Sequence, residues 1–196
     1  MRRRIIAAMT LVLIPDPALV MLVGAAGSGK STFAARHFAP DEILSSDALR
    51  ARISGDEANQ AVSRTAFSIL HRALERRLAT GRLTVVDATN ADSRGRHDLT
   101  RRARAAGVPA VAFVLALPDA VVLARNAART RQVDEAVVRL QLARVQASLA
   151  PDGLAAEGLA LTWIGRTAED VDAIVVERAP SHDPPPRTAP SPPELR

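Results

Sequence analysis

Residues 24–31 read Gly-Ala-Ala-Gly-Ser-Gly-Lys-Ser, an order of small residues, one lysine and one hydroxyl suited to holding phosphate. Gly24, Gly27 and Gly29 let the backbone curl until successive N–H groups point inward at anionic oxygens, with Ser28 between them. A helix starting at this point adds its positive end, and its first residues, Lys30, Ser31 and Thr32, face the same anion. In such a loop the lysine reaches the β- and γ-phosphates of ATP and the hydroxyl of Ser31 holds Mg²⁺. The chain has 25 arginines and a single lysine, which is Lys30. A lysine kept where arginine supplies every other strong cation suggests work for a compact ammonium rather than a planar fork.

A phosphate loop binds nucleotide without naming what receives the phosphate. Val85-Val86-Asp87-Ala88 places a carboxylate at the end of an apolar run, where Asp87 either completes the Mg²⁺ shell or fixes the loop. A hydrolase often carries a second acidic residue next, to position water; alanine there favours transfer to a bound hydroxyl. Asp47 is the candidate general base, since a carboxylate beyond the second strand lies where open α/β folds bind ligands. The structural alternative is that Asp47 caps the helix beginning at Ala48. Arg50, one turn on, suits either a substrate phosphate or a surface ion pair. Arg125, Arg129 and Arg131 lie between two helical stretches, either as a lid over the transferring phosphoryl group or as a solvated helix end.

These residues need a scaffold that brings the ends of several strands together. Apolar runs alternate with helical periodicity, which predicts a three-layer α/β fold with a mostly parallel sheet. Thr10–Ile14 is expected as a short edge strand and Leu19–Val23 as the central one. Further strands are expected at Glu42–Ser45, Leu83–Val86, Val108–Leu117 and Leu161–Ile164. Helices are expected from the loop to about His37, over Asn59–Thr80 and over Ser93–Ala106. Others run from Pro118 towards Arg129, over Asp134–Leu149 and over Thr167–Arg178. Arg94, Arg96, Arg101, Arg102 and Arg104 read as a solvated face. Ser54-Gly55-Asp56 reads as a loop. The organisation is an extension over 1–9, one domain over 10–178 with a helical lid at about 125–149, and a tail over 179–196. Seven prolines in those eighteen residues predict disorder.

Composition narrows the class. A chain of 196 residues with 47% hydrophobic content can bury a core. The net charge of +5 overstates any basic surface. Arg2, Arg3 and Arg4 supply three charges, the tail is neutral, and 5–178 carries 21 basic against 19 acidic residues. The absence of cysteine excludes disulfides, thiolate metal sites and a cysteine nucleophile. No apolar run reaches the roughly 20 residues that span a bilayer, so no membrane partner is expected. Pro15-Asp16-Pro17 interrupts a faint signal-like start, and ATP use predicts a cytoplasmic protein.

Taken in order, GAAGSGKSTFAARHF, EILSSDALR, RLATGRLTVVDATN, RNAARTR and the EGL at Glu157–Leu159 resemble the kinase domain of the bacterial polynucleotide kinase–phosphatase family. The resemblance spans about Thr10 to Gly165, here as a stand-alone module, whereas the family joins it to phosphatase and ligase-like domains. It implies ATP and Mg²⁺ at Lys30 and Ser31, activation of a 5′-hydroxyl by Asp47, and lid roles for Arg125 and Arg129. Arg50, with Asn90 of the DATN turn, would serve the acceptor, a nucleic-acid 5′ end. Two departures favour other acceptors: the lid has alanines between its arginines, and stacking aromatics are few. Trp163 is the single tryptophan, and Phe33, Phe38, Phe67 and Phe113 read as core. A kinase for a small metabolite or antibiotic hydroxyl, and a non-catalytic ATP-binding module, are the competing expectations.

Overall fold

The structure, a computed structural model, describes residues 9–55 and 62–180. The expected extension up to residue 8, Asp56 of the expected loop, the start of the long helix at Asn59 and the tail from 181 lie outside them. The chain opens with β1 (Thr10–Asp16) and β2 (Leu19–Val23). The phosphate loop leads into α1 (Lys30–His37), then β3 (Ile43–Ser45), α2 (Ser46–Ser54) and α3 (Ser63–Ala79). Next come β4 (Thr84–Asp87), α4 (Ser93–Ala105), β5 (Ala110–Leu115), α5 (Asp119–Ala127) and α6 (Glu135–Ser148). The described chain ends with β6 (Leu161–Gly165), α7 (Ala168–Ala173) and β7 (Ile174–Pro180).

Five strands form a parallel sheet in the order β3-β4-β2-β5-β6. The chain leaves β2 towards one side of the sheet and later returns to pair on its other side. The loop after β2 therefore stands at the topological switch point, where the carboxyl ends of the strands open a crevice. Burial on both faces explains why β2 is apolar throughout. Val20 and Leu22 pack with Phe33 of α1 and Phe38 just after it, while Leu19 and Met21 pack with Leu70, Leu74 and Leu78 of α3 and Leu99 of α4. Helices thus cover both faces of the sheet, the three layers expected.

Two expectations need correcting. The helix read over Thr167–Arg178 stops at Ala173. A capping box between Thr167 and Asp170 does start it, but Ile174-Val175-Val176 is a β-branched run. That run pairs in parallel with β1, from Thr10 opposite Ile174 to Asp16 opposite Pro180. Strand pairing across the whole chain outweighs a local helical pattern. Ala179 and Pro180 consequently belong to β7 and not to the tail. Thr10–Ile14 is indeed extended, but in this separate two-stranded sheet rather than at an edge of the main one. Val12 and Ile14 of β1 and Ile174 join the core cluster of α1. Among the described residues no helix is long and apolar enough to cross a membrane.

Candidate active site

The phosphate loop is bent where glycine was expected to bend it. Gly27 and Gly29 have φ of 88° and 97°, a region that L side chains rarely adopt. A Cβ on Gly27 would also lie 2.7 Å from the Val122 carbonyl, so the loop rests directly on α5. Lys30 begins α1, and its Nζ donates to the Ala25 carbonyl at 2.9 Å. Burial brings its pKa down to about 8. Asp87 and Asp47 oppose that shift, and Arg129 adds to it. The buried Ser28 hydroxyl has no hydrogen-bond partner among the described residues.

At the carboxyl end of β4, Asp87 accepts a hydrogen bond from Ser31 Oγ at 2.8 Å. Burial raises the Asp87 pKa, while the Ser31 bond and Lys30 restrain it. A buried carboxylate beside a hydroxyl is the hard-oxygen pair that Mg²⁺ accepts, with phosphate and water completing its shell. Among the described residues no group of three or more His, Cys, Asp or Glu could hold a metal ion, so no protein cage competes with that arrangement.

Asp47 lies in the first turn of α2. The cap of that helix is Ser45, whose Oγ accepts from the Ala48 amide at 3.3 Å. The capping alternative for Asp47 is thereby removed. Its Oδ1 accepts from Ser46 Oγ at 3.2 Å and from Arg50 Nη2. Oδ2 accepts no hydrogen bond from any described residue. Arg50 is buried and ion-paired with Asp47, whose own side chain stays half exposed.

The arginine segment starts in the last turn of α5 with Arg125, and Arg129 and Arg131 follow that helix. Asn126 closes the turn as a backbone pair would: its Nδ2 donates to the Val133 carbonyl at 2.8 Å, and its Oδ1 accepts from the Val133 amide at 3.1 Å. Arg125, Arg129 and Arg131 then line the same cavity of about 940 Å³ as Lys30, Asp47 and Asp87. The loop glycines, Ser28, Ser31, Thr32, Arg50 and Asn90 line it too, apart from Gly24. Gly24 lies beneath, its amide bonded to the Thr89 carbonyl at 3.0 Å. Gln141 of α6, which the sequence did not single out, accepts from the Ala26 amide at 2.8 Å and joins α6 to the phosphate loop.

Asn90 has a φ of 45°, and its Nδ2 donates to Leu22 and Val86 carbonyls at 2.8 and 3.3 Å. Its amide nitrogen thus braces the ends of β2 and β4 at the rim of the cavity. Behind it lies the largest departure from the solvated-face expectation: Arg96 is completely buried. It grips both carboxylate oxygens of Glu157, the shortest contact being 2.6 Å, and donates to the Asn90 and Ala91 carbonyls at 2.8 and 2.9 Å. It also reaches Ser148 Oγ, at the end of α6, at 2.9 Å. Arg101 and Arg102 pair with Asp98 outside, as a solvated face would. In a run of five arginines nothing local marks the buried one; its carboxylate partner lies 61 residues away. Phe67, expected in the core, is 37% exposed and lines the cavity. Phe33, Phe113 and Trp163 do cluster, with Phe33 and Trp163 stacked at 6.2 Å.

Residues 19–151 match the family model described as an AAA domain. Among solved structures, a chain of the Pnkp1/Rnl/Hen1 RNA repair complex is similar with a TM-score of 0.58 at 21% identity, over 68% of this chain and 45% of that one. This chain thus spans less than half the length of that relative. The tunicamycin resistance protein of Deinococcus radiodurans gives a TM-score of 0.51 at 16% identity, over 80% of this chain and 91% of that one. A sugar kinase from Janibacter sp. gives 0.50 at 20% identity, over 76% and 84%. At these identities the likeness is one of fold, that of the P-loop kinases. No curated protein matches the sequence.

Proposed function

We propose that this chain, which belongs to the AAA domain family, transfers the γ-phosphate of ATP to the 5′-hydroxyl of a polynucleotide. The observation that carries a transfer reaction is Asp47. It is not needed as a helix cap, it is paired with Arg50, and it shares one cavity with Lys30 and Asp87. In the reaction the acceptor hydroxyl loses its proton to Asp47 as its oxygen bonds to the γ-phosphorus, and ADP departs. Arg50 orients that carboxylate and lends positive charge to the acceptor side. Lys30 and the loop amides hold the phosphate chain, and Arg125 and Arg129 meet the negative charge shared between the oxygens of the transferring group. Ser31 and Asp87 would hold Mg²⁺, which when bound neutralises charge on the phosphate oxygens.

The polynucleotide as acceptor is supported by the joint presence of SSDALR, DATN and the arginine segment, and by the fold likeness to a chain of an RNA repair complex. A second reading, a kinase for a small-molecule hydroxyl, is supported by the body of the chain being nearly neutral and by a likeness to a sugar kinase over most of that chain's length. Labelled ATP offered with 5′-hydroxyl oligonucleotides, and separately with sugars and other small alcohols, separates the two. Label on the oligonucleotide is expected. Label on small alcohols alone, from folded protein, would replace the first reading by the second.

A further inference from the structure

Phe67 and Gly95 stand out once the reacting groups are accounted for. Phe67 is a large apolar side chain on the wall of a polar cavity, more than a third exposed. It belongs to α3, which packs beside the helix of Asp47 and Arg50, with Leu49 against the cluster of Leu70 and Leu74. Gly95 lines the same cavity from the first turn of α4. Nothing there requires glycine. Its φ is not in the left-handed region, and a Cβ built on it meets no atom within 4 Å.

The two positions lie on helices that pair in register. Glu75 pairs with Arg102, and one turn earlier His71 lies 3.8 Å from Asp98. A further turn back on each helix, in the same register, brings Phe67 opposite Arg94, the neighbour of Gly95. The ring of Phe67 leans on His71, with centroids 6.2 Å apart, so it is supported from behind. Phe67 thus offers an apolar ring to the cavity, and Gly95 leaves open space beside the position opposite it. A planar aromatic group stacks on such a ring over its whole face.

We infer that Phe67 and Gly95 form a stacking slot for the nucleobase of the 5′-terminal nucleotide, so that the acceptor is held by its base as well as by its hydroxyl. The inference rests on the polynucleotide reading above and adds what part of the acceptor is gripped. Base–aromatic stacking is tolerant of base identity, so the slot favours a nucleobase without choosing among the four.

The test compares two 5′-hydroxyl oligonucleotides, alike except that one ends in an abasic sugar. For the unaltered protein, KM is expected to be roughly 5- to 100-fold higher for the abasic end, the range that one stacked base supplies. Phe67→Leu is expected to raise KM for the base-bearing end to the abasic value and to leave KM for ATP unchanged, while Phe67→Trp keeps the discrimination. Gly95→Leu, which puts a side chain into that open space, is expected to act as Phe67→Leu does. Equal KM for both ends in the unaltered protein would overturn the slot and leave the polynucleotide reading standing. So would an equal rise for both ends in Phe67→Leu. No transfer to either end by folded, ATP-binding protein would remove both.

Discussion

Lys30 meets two opposed demands. Burial in the phosphate loop favours the neutral amine, while Asp87 and Asp47 favour the cation; the outcome is a pKa near 8. Phosphate oxygens bind only the charged form, so bound ATP raises that pKa. ATP affinity is therefore expected to be steady below pH 8 and to weaken as pH rises beyond it, because a proton must then be taken up on binding. Titration of ATP between pH 7 and 9.5 checks this. Lys30→Arg, weaker throughout, should show no such step, and an unaltered protein with flat affinity would refute the argument. At Asp47 the expectation is a separation of chemistry from binding. Asp47→Asn keeps the shape and loses the base, so kcat should fall by about 10²–10⁴ while ATP affinity holds. A large loss of ATP affinity, measured by the same titration, would make Asp47 a structural residue.

The turn between β4 and α4 shows how elements position such residues. It carries Asp87 into the cavity and Asn90 against the ends of β2 and β4, and the Arg96 guanidinium holds it from beneath. The same guanidinium ties Glu157 and the last residue of α6 to that turn, joining α6 to the Asp87 side of the site. Both members of the pair are out of water, so removing one leaves an uncompensated charge. Arg96→Met or Glu157→Met should each cost about 3–5 kcal/mol. The double variant should recover part of that loss, though not all, since the Asn90 and Ala91 carbonyls stay orphaned. Denaturant unfolding of the three variants measures the coupling directly, and strict additivity would show that the pair does not interact. Asn126 is the corresponding brace for the arginine segment, closing a turn that would otherwise leave the amide and carbonyl of Val133 unpaired.

Across the molecule, β7 returns from the end of the described chain to pair with β1, so its first and last strands close one core against α1. Ile174 is nearly buried there, and Ile174→Ala should cost about 2–5 kcal/mol in denaturant unfolding. Because Ile174 does not line the cavity, KM for ATP should not change in the protein that remains folded. What could be read from the chain alone followed from short-range chemistry. The loop at 24–31, the strands of the parallel sheet and the helices ending near Gly81 and Gly107 all rest on local spacing or on period, whereas spacing alone left Asp47, Asp87 and the arginines with structural alternatives. These signals survive because backbone geometry and hydrophobic periodicity act within a turn or two of the residue. Long-range pairing decided the rest. Nothing near Arg96 distinguishes it from Arg94 or Arg101 until Glu157 arrives from beyond α6. The β-branched run at 174–176 became a strand because β1 was there to receive it. Phe67 was freed from the core because the helix register turned it towards the cavity, and Gln141 met the Ala26 amide only when α6 had folded over the loop. Burial, partner and exposure belong to pairs of residues distant in the chain, and only the tertiary structure brings such pairs together.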